Sequence, residues 1–218
     1  KNGDIYKKTY RGLYCVGCEQ FYTENELVDG KCPEHDRRPE IVSEENYFFK
    51  LSKYQTQLEE LIAGDKLQVL PAVRKNETLG FIRQGLEDFS VSRPAERLGN
   101  WGIPVPGDPS QVMYVWFDAL TVYMTSIGWG YDDKLWQKWW PADVHVIGKD
   151  ITRFHCALWP AMLMAAGVEL PRRVQVHGFV LVQDPTGLWV KSSKSGTSVD
   201  PMELFEMHGA DPVRYVFM

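Results

Sequence analysis

Between Asp143 and Val182 the chain reads as a short apolar run, a long helical run and a second apolar run: DVHVIG, KDITRFHCALWPAMLMAAG and RVQVHGFVLV. Two strands separated by a helix of that length cannot close as a tight hairpin. The helix has to cross one face of a sheet, which leaves the strands side by side and parallel. Upstream, VMYVWFDAL passes from strand into helix; downstream, DPMELFEMHG opens a helix with Asp200 as N-cap and Pro201 in the first turn. The alternation predicts an α/β fold built on a parallel sheet, with Gly167 closing the long helix.

The first part of the chain has another texture. Residues from about Tyr6 to Leu51 are polar and turn-rich, with VDGKCP as a tight turn, and read as a small β-rich module. QTQLEELIAG and KNETLGFIRQGL then carry apolar residues at helical spacing. With 218 residues, 44% of them hydrophobic and 24% charged, the chain can bury one large core or two small ones. A net charge of -5 leaves no overall basic footprint, so any nucleic acid must be met by a local patch. ALWPAMLMAAGVEL is interrupted by Pro160 and falls short of the roughly 18 apolar residues of a membrane span, and KNGDIYKKTYRG lacks the apolar core of a signal peptide. Four cysteines, three of them within the first 32 residues, make poor disulfide arithmetic and point to a reducing compartment. Cys156, in an apolar helical run, reads as a buried core residue.

Cys15, Cys18, Cys32 and His35 follow the spacing C-x2-C, thirteen residues, C-x2-H. Paired knuckles of this kind bring three thiolates and one imidazole to the corners of a tetrahedron about 2.0 to 2.3 Å from Zn²⁺. Four protein ligands leave no open position for water, so such a zinc is structural and contributes to the folding of a module with little core of its own. The alternative is a set of unligated side chains that merely lie near one another.

HVIGKDI places Gly148, Lys149 and Asp150 where a strand ends and a helix begins. Ligands of parallel sheets gather at such ends, and backbone N–H groups at a helix start favour anions. Asp150 then either accepts hydrogen bonds from ribose hydroxyls or caps the helix. VHGFV repeats the pattern with His177 and Gly178, as a second ligand-facing strand end or as a turn glycine beside a polar histidine. Trp116 and Tyr123 are seven apart, and Ile151 and His155 four apart, spacings that suit core packing or an apolar pocket alike. WVKSSKSGTSVDP sets Lys191 and Lys194 among serines before Gly196; its composition is that of a linker, but it directly follows a strand and precedes a helix start.

The blocks YCVGCEQFYTENELVDGKCPEH, EENYFF, SVSRP, WGIPVPGDP, YVWFDAL, HVIGKDI, FHCALWPAMLMAAG and VHGFV occur in the order found in the methionyl-tRNA synthetases, which the chain resembles from Gly3 to Met218. The resemblance implies an α/β fold: the second half of a Rossmann-like parallel-sheet catalytic domain with an inserted zinc-knuckle β module. It implies a connective insertion over 1–84, the second catalytic half over 85–200, and over 201–218 the start of a helical segment leading to an anticodon-binding domain. No H-I-G-H segment occurs, so the first catalytic half and the anticodon domain are expected outside these residues, and the chain is not expected to act alone.

By the same resemblance, Trp116, Tyr123, Ile151 and His155 form the walls of a methionine pocket, while Arg93 of SVSRP matches the arginine that pairs with an aspartate of the first half. Gly148, Asp150, His177, Gly178 and the Val180 backbone match the ATP contacts on the adenosine side. Lys191 and Lys194 match the K-M-S-K-S loop, whose lysines bind the triphosphate. Here Ser192 replaces its Met, and Gly196 follows Ser195 directly where one residue ordinarily intervenes. The implied activity is ligation of methionine to tRNA(Met) with ATP. Mg²⁺ would accompany the ATP, Zn²⁺ would be structural, there would be no membrane contact, and the location would be the cytoplasm or an organelle. The competing reading is a zinc-knuckle module that binds nucleic acid or protein beside an inactive α/β remnant. A generic Rossmann protein is disfavoured because no G-x-G-x-x-G follows a strand.

Overall fold

Two long strands carry the first part of the chain, where the sequence pattern suggested short elements. β1 (Ile5–Cys15) and β3 (Glu40–Phe49) pair antiparallel in register from Ile5↔Phe49 to Tyr14↔Glu40. β2 (Gln20–Tyr22) folds back on β1, pairing Leu13 with Tyr22 and Cys15 with Gln20. Aromatic residues, which favour pleated surfaces, hold the sheet by cross-strand contact: Tyr6 and Tyr10 place their rings 6.0 and 5.9 Å from that of Phe48. The VDGK turn closes on a Val28↔Lys31 bridge, with Asp29 and Gly30 at φ 52° and 72°, the left-handed pair that a two-residue turn of this hand requires.

This is a computed structural model, and it describes residues 2–18, 20–192 and 200–217. After β3 come α1 (Gln55–Ala63), β4 (Gln68–Leu70), α2 (Ala72–Arg83), β5 (Phe89–Ser90), β6 (Ser92–Pro94), β7 (Pro104–Val105) and β8 (Asp108–Met113). Next are α3 (Val115–Ala119), α4 (Val122–Thr125), α5 (Asp133–Trp139), β9 (His145–Gly148) and α6 (Trp159–Ala166). β10 (Arg173–His177), β11 (Leu181–Gln183), β12 (Trp189–Lys191), α7 (Pro201–His208) and α8 (Ala210–Phe217) complete the order.

The chain divides into two compact units. One comprises Lys1–Thr56, Gln84–Trp140 and Ala165–Gly167; the other comprises Gln57–Arg83, Pro141–Met164 and Val168–Met218. The first unit is antiparallel. β6, β8 and β7 form a second sheet, and a buried polar seam ties it to β3: the Tyr47 amide donates to Ser92 Oγ at 2.9 Å, Ser92 Oγ to Gln111 Oε1 at 2.6 Å, and Gln111 Nε2 to the Glu45 carbonyl at 2.9 Å.

The second unit contains the parallel sheet that the strand and helix alternation predicted, in the order β4-β10-β9. β10 lies in the middle, and its Val174 and Val176 are buried, as are Val69 of β4 and Ile147 of β9. Burying side chains of this size contributes about 1.5 to 3 kcal/mol each, which makes the centre of the sheet the stable part of this unit. β4 comes from residues 68–70, inside the span expected of the insertion, and was not visible as a strand because three residues carry no periodicity.

Two further departures from the sequence reading have clear causes. RVQVHGFVLV is not one strand: β10 ends at His177, and β11 turns away to pair with β12 through a tight turn in which Asp184 Oδ1 accepts from the amides of Thr186 and Leu188. The helix after β9 is not uniform either. It opens as a 3₁₀ turn over Lys149–Ile151, widens to a π turn over Phe154–Leu158 and becomes α-helical only at Trp159. Pro160 has no N–H to give the Cys156 carbonyl, and the chain passes that point in the wide turn. Gly167, at φ 69°, ends the helix as expected, and Asp200 caps α7 by accepting from the Met202 amide at 2.8 Å.

Candidate functional site

The β1–β2 turn and the VDGK turn bring the four metal-type ligands together. Cys15 ends β1, Cys18 lies in the turn, and Cys32 and His35 follow the second turn; their donor atoms all lie within 4.8 Å of one another. Cys18 Sγ is 3.4 Å from Cys32 Sγ and 3.1 Å from His35 Nδ1, while Cys15 and Cys32 Sγ each lie 3.9 Å from His35 Nδ1. Donors on a tetrahedron around zinc are separated by about 3.5 Å, so the cluster has the donor set and the size for that ion. Gly17 permits the arrangement, since a Cβ there would meet the His35 ring at 2.6 Å.

Tyr22, not singled out by the sequence, donates its hydroxyl to Cys18 Sγ at 3.1 Å. Burial pushes the Cys18 thiol up. At Cys32 burial acts the same way, but its side-chain contacts with His35, Tyr22 and Cys18 outweigh it and bring the thiol below its ordinary range.

In the second unit, β9 and β10 end side by side, with Gly148 paired to His177 across the parallel register. Gly148, Asp150, His177 and Gly178 therefore occupy one end of the sheet, the end where ligands of parallel sheets bind. Asp150 is exposed within the 3₁₀ turn, and the N-cap of that turn is Gly148, not Asp150. A Cβ on Gly148 would stand 2.7 Å from Asp150 Oδ1, so a side chain there would push the Asp150 carboxylate aside; at Gly178 a Cβ would meet nothing within 4 Å, so the backbone there is open to approach. Val180 is exposed, and its carbonyl accepts from the Ser192 amide at 2.9 Å, which ties the start of the lysine-rich loop to this end of the sheet.

Phe179 was missed by the sequence reading, although it lies inside VHGFV. Its ring takes two ammonium groups: Lys149 Nζ at 4.2 Å and Lys191 Nζ at 4.1 Å from the centroid. Lys194, Ser195 and Gly196 lie outside the described residues.

Ile151 and His155, four apart, meet through the backbone: His155 Nδ1 donates to the Ile151 carbonyl at 3.0 Å. His155 is buried in the π turn beside His145, with ring centroids 6.1 Å apart, and the Trp159 indole donates to His145 Nε2 at 3.2 Å. His145 and Trp159 were not singled out; the signal for His145 was its place two residues before Ile147, on the buried face of the strand.

In the first unit, Trp116 and Tyr123 are both half-buried on α3 and α4, and the chain keeps right-handed helical dihedrals through Leu120 and Thr121 between them. Burial raises the Tyr123 hydroxyl above its ordinary range. Arg93 is 4% exposed, donates to Ser90 Oγ at 2.9 Å and to the Ser92 carbonyl at 2.7 Å, and stacks 4.3 Å from the Tyr114 ring centroid. Its Nε has no hydrogen-bond partner among the described residues. It lines a cavity of about 320 Å³ with Tyr14, Arg97, Trp101 and Tyr114. Arg97 pairs with Glu44, so that carboxylate is already engaged. Among the described residues no helix is long and apolar enough to cross a membrane.

The α/β fold with its parallel sheet is that of a class I tRNA synthetase catalytic domain. The family model described as tRNA synthetases class I (M) matches residues 1–38 and 35–218, and the chain belongs to that family. It is 51% identical over 219 residues to a methionine–tRNA ligase of Clostridium perfringens and 49% identical over 220 residues to one of Clostridium acetobutylicum, alignments that take in 99% and 100% of this chain and 33% of each relative. It is similar to a solved Mycobacterium tuberculosis methionyl-tRNA synthetase bound by methionyl-adenylate, with a TM-score of 0.84 and 43% identity over 98% of this chain and 42% of that one. The chain spans about a third of the length of the curated relatives it matches.

Proposed function

We propose that this chain is part of a methionine–tRNA ligase, which activates methionine with ATP and passes the methionyl group to tRNA(Met). The observation that carries the reading is the pairing of Gly148 with His177 at the ligand-binding end of the parallel sheet, in a chain whose solved relative holds methionyl-adenylate. In the first step a methionine carboxylate oxygen bonds to the α-phosphorus of ATP, and the bond to the bridging oxygen breaks, releasing pyrophosphate. In the second a ribose hydroxyl of the tRNA attacks the acyl carbon, and AMP leaves. Both steps depend on positioning and charge stabilisation more than on acid–base groups.

On this reading Asp150 accepts from ribose hydroxyls, Gly148, His177 and Gly178 shape the adenosine floor, and the Val180 backbone meets the adenine. Lys191 and Lys194 stabilise the triphosphate and the departing pyrophosphate. Trp116, Tyr123, Ile151 and His155 surround the methionine side chain, whose polarisable thioether gains about 0.3 to 1.5 kcal/mol per aromatic contact. Arg93, with its unpartnered Nε, pairs with an acid of the remaining catalytic half. Mg²⁺ accompanies the ATP and offsets phosphate charge. Zn²⁺ held by Cys15, Cys18, Cys32 and His35 orders the small module.

Residues 1–84 then act as the insertion, lending β4 to the catalytic sheet; 85–200 are the second catalytic half, and 201–218 begin the path to an anticodon-binding domain. The place of action is the cytoplasm or an organelle. In the full-length protein, Asp150→Ala is expected to raise KM for ATP about tenfold or more, the weight of a hydrogen bond to a charged group, while His155→Ala acts mainly on KM for methionine. The reverse pattern in ATP–pyrophosphate exchange contradicts these roles.

A further inference from the structure

One aromatic ring in the second unit holds two ammonium groups. Lys149 Nζ lies 4.2 Å and Lys191 Nζ 4.1 Å from the centroid of Phe179, so the two charges stand within about 8 Å of each other however they are disposed about the ring. Strand pairing brings them there. Gly148 and His177 are partners at the ends of β9 and β10, so Lys149 begins the 3₁₀ turn directly after one strand and Phe179 follows two residues beyond the other. In the β11–β12 hairpin Lys191 stands opposite Leu181, which leaves Phe179, two residues before Leu181, diagonally across from it and within reach of a long side chain.

Like charges gathered this closely repel, and the usual relief is a carboxylate. Among the described residues neither ammonium has one; the ion pairs there engage other lysines and arginines. The Phe179 ring attracts them through the negative charge over its faces and neutralises neither, so each ammonium keeps its charge and its N–H donors for an anion. The ring is half-buried, Lys191 is exposed, and Gly178 beside the ring is exposed too.

We infer that Lys149 is a further phosphate-binding residue, and that Phe179 is the positioning residue that holds it beside Lys191 as one site for adjacent phosphates of a polyphosphate. The inference rests on the reading of Lys191 as a triphosphate lysine and extends it to a side chain at the end of β9. As the bond from the α-phosphorus to the bridging oxygen breaks, charge collects on the departing pyrophosphate, and a second ammonium stabilises it there. Phe179 touches no phosphate; its effect passes through the two lysines.

The test measures binding of magnesium pyrophosphate alone to the full-length protein by calorimetry, with KM for methionine in exchange as the control. Lys149→Gln is expected to weaken pyrophosphate about tenfold, the weight of one hydrogen bond to a charged group, and to leave KM for methionine within about twofold. Lys149→Arg, which keeps the charge and the ring contact, should recover most of the loss. Phe179→Leu is expected to weaken pyrophosphate about fivefold, and Phe179→Tyr, which keeps the aromatic face, to stay within about twofold of the parent. Combined with Lys149→Gln, Phe179→Leu should cost less than the product of the separate effects, because only Lys191 is then left for the ring to hold. Unchanged pyrophosphate affinity in Lys149→Gln, an equal loss in KM for methionine, no difference between Leu and Tyr at 179, or effects that simply multiply overturns the inference. If Phe179→Leu does not fold, the Lys149 variants decide it alone. A parent that binds pyrophosphate through Lys149 yet shows no methionine-dependent exchange would instead contradict the proposed function and leave the two-lysine site standing.

Discussion

His35 can approach Cys18 because Gly17 has no side chain. Gly17→Ala puts a Cβ where the imidazole ring lies, so it is expected to displace one ligand and weaken zinc binding about tenfold or more, measured by chelator competition. Unchanged affinity would show that His35 is not a ligand. The histidine pair makes a prediction of opposite character, one of pH. An unfolded His145 takes up its proton at pH 6.5, whereas the folded ring resists until about 4. Between those values the unfolded state binds more protons, so stability to denaturant is expected to fall as pH drops from 6.5 to 4. In His145→Gln that part of the slope should flatten; a parent whose stability is level across the window contradicts the burial of two neutral rings.

At the level of elements, Asp200 and Pro201 were legible because a helix start has a local chemistry: a short oxygen-bearing side chain for the first amides and a proline that needs no donor. Asp200→Ala is expected to destabilise α7 by about 1 kcal/mol, read as faster amide exchange at Met202 and Glu203; unchanged exchange means the cap bond does not form in solution. The parallel strands β9 and β10 and the VDGK turn were legible for the same reason, since their signals lie within a few residues. β4 was not, because Gln68–Leu70 becomes a strand only by pairing with Arg173–Gln175, more than a hundred residues away. The π turn was hidden in an apolar run that reads as ordinary helix, and only Pro160 hinted at it. Among the candidate site residues, Gly148, Asp150, His177 and Gly178 stood out because glycine and polar residues interrupt apolar runs at strand ends. His145, Trp159 and Phe179 looked like packing residues, and their partners appear only once strands and turns are placed in space.

At the level of the whole molecule, a parallel sheet that brings Gly148 and His177 to one end coexists with a small module that gathers Cys15, Cys18, Cys32 and His35. Removal of zinc is expected to raise amide exchange around Cys15–His35 while the central strand β10 stays protected; loss of protection at both would mean that the metal supports the sheet as well. The central claim is that this chain is part of a methionine-activating ligase. Its most direct test is ATP–pyrophosphate exchange by the full-length protein across a panel of amino acids. Exchange that depends on methionine and is weak with leucine and valine is the predicted result, and exchange that prefers leucine or valine, or none with methionine, would contradict it.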